Sequence, residues 1–304
     1  MRADALLHRV EAGESLDRVA DTMAQPLEKA LRQQPVNDLL TGRWLGHPVH
    51  PVSVMAPLSC WFGALLLDLL GGRHTAKAAK RLIGLGVVSA LPAAAAGAAD
   101  WLDTRGAERR VGVVHSLSNI AALVLFGMSW KQRHQGRRIR GMAFSLLGGA
   151  AAGVGGYLGG HLAYRRGVGV NTTSFQCGPT EWTPVLAADS LITGKPVAVR
   201  AGGAVLMLVR SDARINCIEN RCTHRGGPLH KGEVHDGCVT CPWHGSTFRV
   251  DDGSVVTGPA SMPQPAYETR VHQDKVEVRI RELGSLRRNP SESEAEVEPS
   301  PTAT

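Results

Sequence analysis

The sequence predicts a multi-domain protein in which an α-helical, four-span transmembrane bundle is followed by a small all-β domain. Two observations carry this prediction. A strongly apolar stretch occupies roughly residues 51 to 164, and from residue 181 the texture changes to short β-rich runs separated by turns. These parts imply two solvents, lipid and water, although the 304-residue chain has a nearly neutral mean hydropathy of -0.08.

The apolar stretch divides into four runs, each near the roughly 20 residues that a helix needs to cross a bilayer. The runs are apolar on all faces and end in basic residues, whereas the helices of a water-soluble bundle would be amphipathic. A helical bundle buried in water is the alternative that this pattern disfavours. The predicted spans are 52–70, 82–102, 111–130 and 142–162, within a transmembrane domain of residues 47–165.

Residues 1–46 precede the bundle and lack the continuous apolar core of a signal peptide. Apolar residues recur at helical spacing on both sides of Pro26, which predicts short amphipathic helices. These helices either lie on the membrane surface or the bundle, or form a partly ordered cytosolic leader.

The chain carries a net charge of +7 and a pI near 9.3. Nucleic-acid binding would require basic residues interleaved with aromatic residues on a soluble face. Many of the basic residues lie instead in short segments between apolar runs, as at 73–81 and 131–140, where loops of membrane proteins keep their positive charge. The sequence therefore predicts a lipid bilayer as partner and no nucleic acid.

The β-rich part follows a linker of residues 166–180 and extends over residues 181–281. Short β-prone runs such as 196–200 and 205–209 flank a Gly-containing turn, which is typical of a small all-β domain. The final residues, 282–304, contain Ser, Glu and Pro without an apolar period, which predicts a disordered tail.

The most specific motif is Cys222-Thr-His224, separated by sixteen residues from Cys241-Pro-Trp-His244. A cluster of two irons and two sulfides needs four protein ligands, and two short loops can each supply one Cys and one His, with thiolates on one iron and neutral imidazoles on the other. Zinc is the alternative, because Cys and His pairs also build tetrahedral sites. This ligand order is unusual for a zinc finger, and no recognition helix is expected after the second pair. The motif therefore favours one [2Fe-2S] cluster.

Over about residues 181–281 the sequence resembles the Rieske family. The resemblance implies that the two Cys of the motif bind the buried iron and the two His bind the exposed one. Residues 258–260, Gly-Pro-Ala, resemble the third loop of that family, which covers the cluster. The resemblance also implies a base of two small β-sheets with a cluster-binding subdomain of loops and short strands at one tip.

The sequence departs from the respiratory members of this family, which carry an additional cysteine after each ligand pair and join the two in a disulfide. Gly227 and Trp243 occupy those places here, and Phe248 stands where those proteins have a Tyr that hydrogen-bonds a ligand sulfur. Ser246 remains as a candidate donor to a bridging sulfide. Because fewer donors stabilise the reduced, more negative cluster less, we expect a low reduction potential within the Rieske range, similar to the ferredoxin branch.

A second group of candidate ligands lies in the membrane part. An up-and-down bundle places His47, His50, Asp100, His115 and His161 at one face, called the near face, from which the β domain must also emerge. Ionisable residues at membrane depth are candidates for function. His115 and His161 are candidate ligands of a b-type haem, and together with His47, His50 or Asp100 they are candidates for a metal or quinone site. The alternative is that these histidines only shape the entry to the spans.

About residues 35–165 resemble a family of uncharacterised four-helix bacterial membrane proteins. The resemblance lies in Gly46-His-Pro-Val-His50-Pro, in Asp68-Leu-Leu and in residues 160–170. It implies a multi-pass protein of the bacterial cell membrane and gives no information about chemistry.

These features together predict a membrane-anchored one-electron carrier that connects a site at the near face with an unidentified donor and acceptor. The alternatives are a quinol-oxidising or oxygenase-associated oxidoreductase subunit, and a structural membrane protein with a vestigial soluble domain, which the complete four-ligand motif opposes. Basic residues are more numerous in the loops of the opposite, far face, which favours an extracytoplasmic β domain.

Overall fold

The computed structural model describes residues 2–211 and 214–281, in which a helical N-terminal part is followed by a β-rich part. The predicted disordered tail, residues 282–304, lies outside the described residues. The helices are α1 (Arg2–Ala12), α2 (Ser15–Leu31), α3 (Val36–Thr41), α4 (Val49–Ser53), α5 (Met55–Leu70), α6 (Ala76–Trp101), α7 (Gly106–His134) and α8 (Arg138–Gly160).

Four helical segments are long and apolar enough to cross a membrane, and they confirm the four predicted spans. The first joins α4 and α5, and the last continues α8 through a π-helical turn, His161–Arg165. Large apolar side chains such as Phe62 and Leu70 stay exposed on the outside of the bundle, as expected where lipid is the solvent. The spans are Val49–Leu70, Ala76–Trp101, Gly106–His134 and Arg138–Arg165.

Small residues let α7 and α8 approach each other closely. A Cβ atom at Gly155 or Gly159 would lie 2.5 Å or 3.1 Å from side chains of α7, so these glycines permit the contact. The other small-residue pair of this span, Gly149 and Gly153, faces no atom of the described chain within 4 Å. Of these two pairs, only Gly155 and Gly159 therefore pack inside the bundle.

The N-terminal helices pack on the bundle. Ala20 and Ala24 of α2 are buried against Trp101, Leu102 and Val113 at the near-face ends of α6 and α7. The helix α2 continues through Pro26 without a break. Packing of its apolar face offsets the backbone hydrogen bond that the proline removes.

The β-rich part contains two antiparallel sheets. The six-stranded sheet has the order β1-β10-β9-β4-β3-β2, and the four-stranded sheet has the order β5-β6-β7-β8. The expected base of two small sheets is one sheet here, because β9 pairs with both β10 and β4. The strands are β1 (Thr183–Ala187), β2 (Val197–Ala201), β3 (Ala204–Ser211), β4 (Arg214–Glu219), β5 (Glu233–His235), β6 (Cys238–Thr240), β7 (Thr247–Arg249), β8 (Val255–Thr257), β9 (Ala266–His272) and β10 (Lys275–Ile280).

An apolar core joins the two sheets and supports the loops of the cluster motif. Met207 and Ile218 of the large sheet pack with Phe248 of the small sheet, and all three are fully buried. Cys222 and Cys241 belong to the same core. The rigid packing of this core fixes the backbone from which both loops of the motif start.

Candidate metal centre

Two similar loops at the tip of the β-rich part position the four side chains of the cluster motif. In the first loop, after β4, the backbone N–H of Cys222 donates to Gly227 at 2.9 Å, and its carbonyl accepts from Gly226 at 2.8 Å. In the second loop, between β6 and β7, Cys241 makes the same two types of bond, with Ser246 at 2.8 Å and Gly245 at 3.1 Å. Each loop thus presents one cysteine and, two or three residues later, one histidine.

The two cysteines lie inside and the two histidines lie outside. Cys222 and Cys241 are 1% and 3% exposed, whereas the rings of His224 and His244 are half-buried, with centroids 5.2 Å apart and planes almost perpendicular at 88°. A hydrogen bond between the two thiols raises the pKa of Cys222 and lowers that of Cys241 to about 6. One thiolate is therefore already favoured before any metal contributes its charge.

Both histidines are in the charge state that a metal ligand requires. Burial lowers the pKa of His224 to about 4 and that of His244 to about 4, so both imidazoles are neutral at pH 7. The Nδ1 atom of His224 is buried without a hydrogen-bond partner, while its Nε2 atom faces a carboxylate. This arrangement leaves one ring nitrogen available for iron, while the other lies 3.4 Å from a carboxylate oxygen that can orient the ring.

The donor set fits a two-iron cluster better than a single zinc ion. Within residues 2–211 and 214–281, no three His, Cys, Asp or Glu side chains converge on one metal position. A mononuclear zinc site would need such convergence, whereas a two-iron cluster takes only two protein ligands at each metal. The pair of inner cysteines and the pair of outer histidines match the second arrangement.

The structure shows the surroundings of the positions at which the motif differs from that of the respiratory Rieske proteins. A Cβ atom at Gly227 would lie 2.7 Å from the Sγ of Cys241, so this loop fits tightly against the sulfur. Phe248 is fully buried in the core, and the hydroxyl oxygen of Ser246 accepts the backbone N–H of Ala260 at 2.9 Å. That bond holds the third loop against the second and leaves the Ser246 hydroxyl hydrogen free to donate.

The outer edge of the motif contacts the membrane bundle. The Nε2 atom of His224 lies 3.4 Å from Oδ2 of Asp103, a residue of the loop between α6 and α7 whose side chain is 1% exposed. Arg32, at the end of α2, pairs with the same carboxylate at 3.0 Å. Burial raises the pKa of Asp103, and the Arg32 guanidinium opposes that shift. The loop after α6 thus reaches one of the candidate cluster ligands.

Further contacts hold the same interface, and sequence reasoning missed them. Arg225, next to His224, forms an ion pair with Glu108 in the first turn of α7. The backbone N–H of Gly258 in the third loop donates to Asp38 of α3 at 2.8 Å. The charges of Asp103 and Glu108 at the near face were visible in the sequence, but their partners lie more than a hundred residues away and no local pattern indicates them.

The histidines of the membrane part do not form one site. A ring nitrogen of His50 lies 2.9 Å from the carbonyl oxygen of Ala93, and one of His115 lies 2.8 Å from that of Gly155. His161 is bonded to Glu11 at 2.9 Å. The ring centroids of His50 and His115 are 6.4 Å apart. Among the described residues, no other two of these histidine rings contact each other.

His47 and Asp100 complete the group of near-face candidates. His47 contacts the backbone carbonyl of Pro48 at 3.2 Å, next to its own position in the chain. Asp100 lines a small cavity together with His224 of the cluster motif. Among the residues that the structure describes, no three His, Cys, Asp or Glu side chains converge on one metal position, so these contacts give no support to a joint site of the four histidines.

Two family models match the two parts of the chain. The model of the Rieske [2Fe-2S] domain matches residues 181–268, and that of a predicted membrane protein family, DUF2231, matches residues 46–172. The matched regions follow one another without overlap, as the division into helical and β-rich parts requires.

Individual relatives match the β-rich part. The anthranilate 1,2-dioxygenase ferredoxin subunit of Burkholderia cepacia is 30% identical over 100 residues, which are 33% of this chain and 93% of that protein. Apoptosis-inducing factor 3 of Mus musculus is 29% identical over 95 residues, 31% of this chain, and the chain spans only 16% of its length. A solved structure, the ferredoxin of carbazole 1,9a-dioxygenase from Nocardioides aromaticivorans IC177, is 28% identical, with coverages of 33% and 98% and a TM-score of 0.32.

Proposed function

Since the chain belongs to the Rieske [2Fe-2S] family through residues 181–268, we propose that it is a membrane-anchored one-electron carrier with Cys222, Cys241, His224 and His244 as its cluster ligands. The observation that carries the proposal is the paired geometry of two buried cysteines and two outer, neutral histidines on matching loops. The bound cluster supplies a centre that accepts and releases a single electron.

The protein part of the site has three tasks. Cys222 and Cys241 would hold one iron as thiolates inside the apolar core, which keeps water away from the sulfurs. His224 and His244 would hold the other iron and form the edge through which a partner would exchange electrons. Asp103 orients His224 through its Nε2 atom, as carboxylates commonly do for histidine ligands.

The proposed carrier role is favoured over an enzyme that works alone. Relatives include ferredoxin subunits as well as terminal oxygenase components, such as that of carbazole 1,9a-dioxygenase in a Sphingomonas species. An oxygenase component needs a mononuclear iron site of two His and one carboxylate. No such convergence occurs among the residues that the structure describes. An oxygenase system nevertheless fits as the redox partner.

The docking of the cluster motif on the near face supports electron exchange beside the membrane. The contact of His224 with Asp103 and the ion pair of Arg225 with Glu108 lie between the two parts of the chain. We include neither haem nor quinone in the proposal, because the family models that match the chain support only the [2Fe-2S] cluster. The domains proposed are residues 1–46, 47–165, 166–180, 181–281 and 282–304.

The loop charges support an extracytoplasmic position of the β-rich part, because positively charged loops stay in the cytoplasm. The nine far-face residues are Arg73, Lys77, Lys80, Arg81, Lys131, Arg133, Arg137, Arg138 and Arg140, against six at the near face, Arg43, Arg105, Arg109, Arg110, Arg165 and Arg166.

Coulometric titration of the purified full-length protein in detergent tests the proposed function. A single one-electron wave is expected, together with two irons and two acid-labile sulfides per chain and no further redox-active metal. A two-electron wave, or reduction of a second centre in the membrane part, would contradict the carrier proposal. A variant with Cys238→Ser, a half-buried cysteine outside the motif, is the control and should titrate like the parent protein.

A further inference from the structure

A cavity of about 390 Å³ lies where the membrane part meets the second loop of the cluster motif. Its walls come from α2, from the segment that joins α6 to α7, and from the loop that carries His244. The charged and aromatic residues of these walls are Glu28 of α2 and Arg32 just after it, Arg105 and Arg109 at the start of α7, and Trp243 and His244 of the loop.

The walls carry an excess of positive charge. Three guanidinium groups face one carboxylate, that of Glu28. Arg32 forms an ion pair with the buried Asp103. Within the described residues, the ion-pair partner of Arg109 is Asp21, whose side chain is 71% exposed. Arg105 has no ion pair among the residues that the structure describes, and it directly precedes the positive end of the 29-residue helix α7.

Two hydrogen-bonding nitrogens of this lining have no partner. Nε of Arg109 and Nε2 of His244 are buried and unbonded within the described chain. An arginine Nε–H can only donate, and a neutral histidine that binds metal through its other nitrogen also donates from Nε2. The lining therefore lacks hydrogen-bond acceptors, and an oxygen-rich anion would supply them.

We propose that this cavity binds a phosphate-type oxyanion. The planar guanidinium of an arginine can donate two parallel hydrogen bonds to two oxygens of a phosphate group. Three arginine side chains in one cavity therefore favour a ligand with several charged oxygens. The cavity lies at the near-face ends of α6 and α7, the depth at which phospholipid phosphates occur, so a lipid headgroup and a free phosphate are the two sources of this chemistry. The consequence for the cluster rests on the proposed function: an anion beside His244 disfavours the more negative reduced state and lowers the reduction potential.

Binding is measured on the full-length protein, so that it is independent of the redox role. In the first arm, inorganic phosphate is titrated by calorimetry into protein in a neutral detergent, with chloride at equal ionic strength as reference. In the second arm, the protein is placed in nanodiscs of phosphatidylcholine with or without phosphatidylglycerol, and retained lipid is counted by native mass spectrometry. Binding in the first arm identifies free phosphate, and binding only in the second identifies the lipid headgroup.

Arginine variants assign the binding to this cavity. R105Q and R109Q should each weaken binding about tenfold, the loss expected for one charge-assisted pair. Arg105 is exposed and unpaired, so R105Q tests the site even if R109Q, which loses stacking on Trp101, fails to fold. R200Q, at an exposed position on β2, is the matched control and should bind normally.

The outcomes separate the site from the redox proposal. Loss of binding in R105Q with an unchanged cluster spectrum supports the site. Absence of binding in both arms, or equal binding by R105Q and R200Q, overturns it whatever the cluster does. If the full-length protein binds the anion but contains no cluster after anaerobic expression with ample iron, the binding site is supported. The absence of the cluster then contradicts the proposed redox function.

Discussion

Replacing Asp68 by alanine removes one half of an ion pair that fastens the far-face ends of α5 and α7. Arg133 donates to both carboxylate oxygens of Asp68, at 3.0 Å and 2.5 Å, and the two side chains are 3% and 1% exposed. Ser129 accepts from Nε of Arg133 at 3.1 Å, and Ser145 accepts from Nη2 at 3.2 Å. The guanidinium is therefore held by a network that depends on one compensating charge.

Asp68→Ala leaves the Arg133 guanidinium buried without that charge, and breaking a buried pair in this way costs about 3–5 kcal/mol of unfolding free energy. The neighbouring serines supply acceptors but no charge, so they offset little of the loss. Asp68→Asn keeps one acceptor oxygen in place and should lose less. Removing both partners with Asp68→Ala/Arg133→Leu should recover most of the stability, because the fully buried guanidinium of Arg133 is then absent, while the more exposed Arg138 keeps its bonds to backbone carbonyls.

Reversible unfolding of the full-length protein in mixed detergent micelles, followed by circular dichroism of the helices, measures these differences. The spectrum of the cluster serves as a control and should not change, since Asp68 lies at the opposite end of the bundle. A loss below about 1 kcal/mol for Asp68→Ala, or a double variant as unstable as the single one, would refute this account of the ion pair.

Three further predictions concern the β-rich part and its position. Burial raises the pKa of Glu219 from 4.5 to about 7, so the unfolded state loses its proton first and unfolding free energy falls as pH rises between these values. Glu219→Gln should flatten that dependence and stabilise the protein by up to about 3 kcal/mol at pH 8, measured by denaturant titration over pH. Phe248→Ala should cost about 3–5 kcal/mol in the same assay, because Phe248 is fully buried between the sheets, and an unchanged midpoint would refute that packing role. Reporter fusions after residue 170 should be active only outside the cytoplasm, and activity only in the cytosol would reverse the proposed orientation.

Composition and local spacing were sufficient to predict the architecture. A span such as residues 142–162 must be apolar on all faces to lie in lipid, so its position within Arg138–Arg165 follows from the sequence alone. The cluster motif was equally visible, because its four donors come from two short loops. Local spacing did not decide whether a helix continues through Pro26, where packing of α2 on the bundle outweighs the intrinsic tendency of proline to end a helix.

The contacts between the two parts could not be predicted in the same way. Asp103 meets His224 and Asp38 meets Gly258 across more than a hundred residues, and such pairings depend on how complete domains dock. The membrane histidines show the same limit of local patterns. Helix connectivity places His161 at the near face, but its ring is bonded to Glu11 of α1, a helix whose position the sequence left open.

Electron paramagnetic resonance of the reduced full-length protein tests the central claim most directly. We expect the signal of a [2Fe-2S] cluster with mixed Cys and His ligation, two irons per chain, and complete loss of both in Cys222→Ser and Cys241→Ser, while Cys238→Ser keeps them. A colourless protein that contains zinc after anaerobic expression with ample iron, or a signal that persists without Cys222, would contradict the assignment of these ligands.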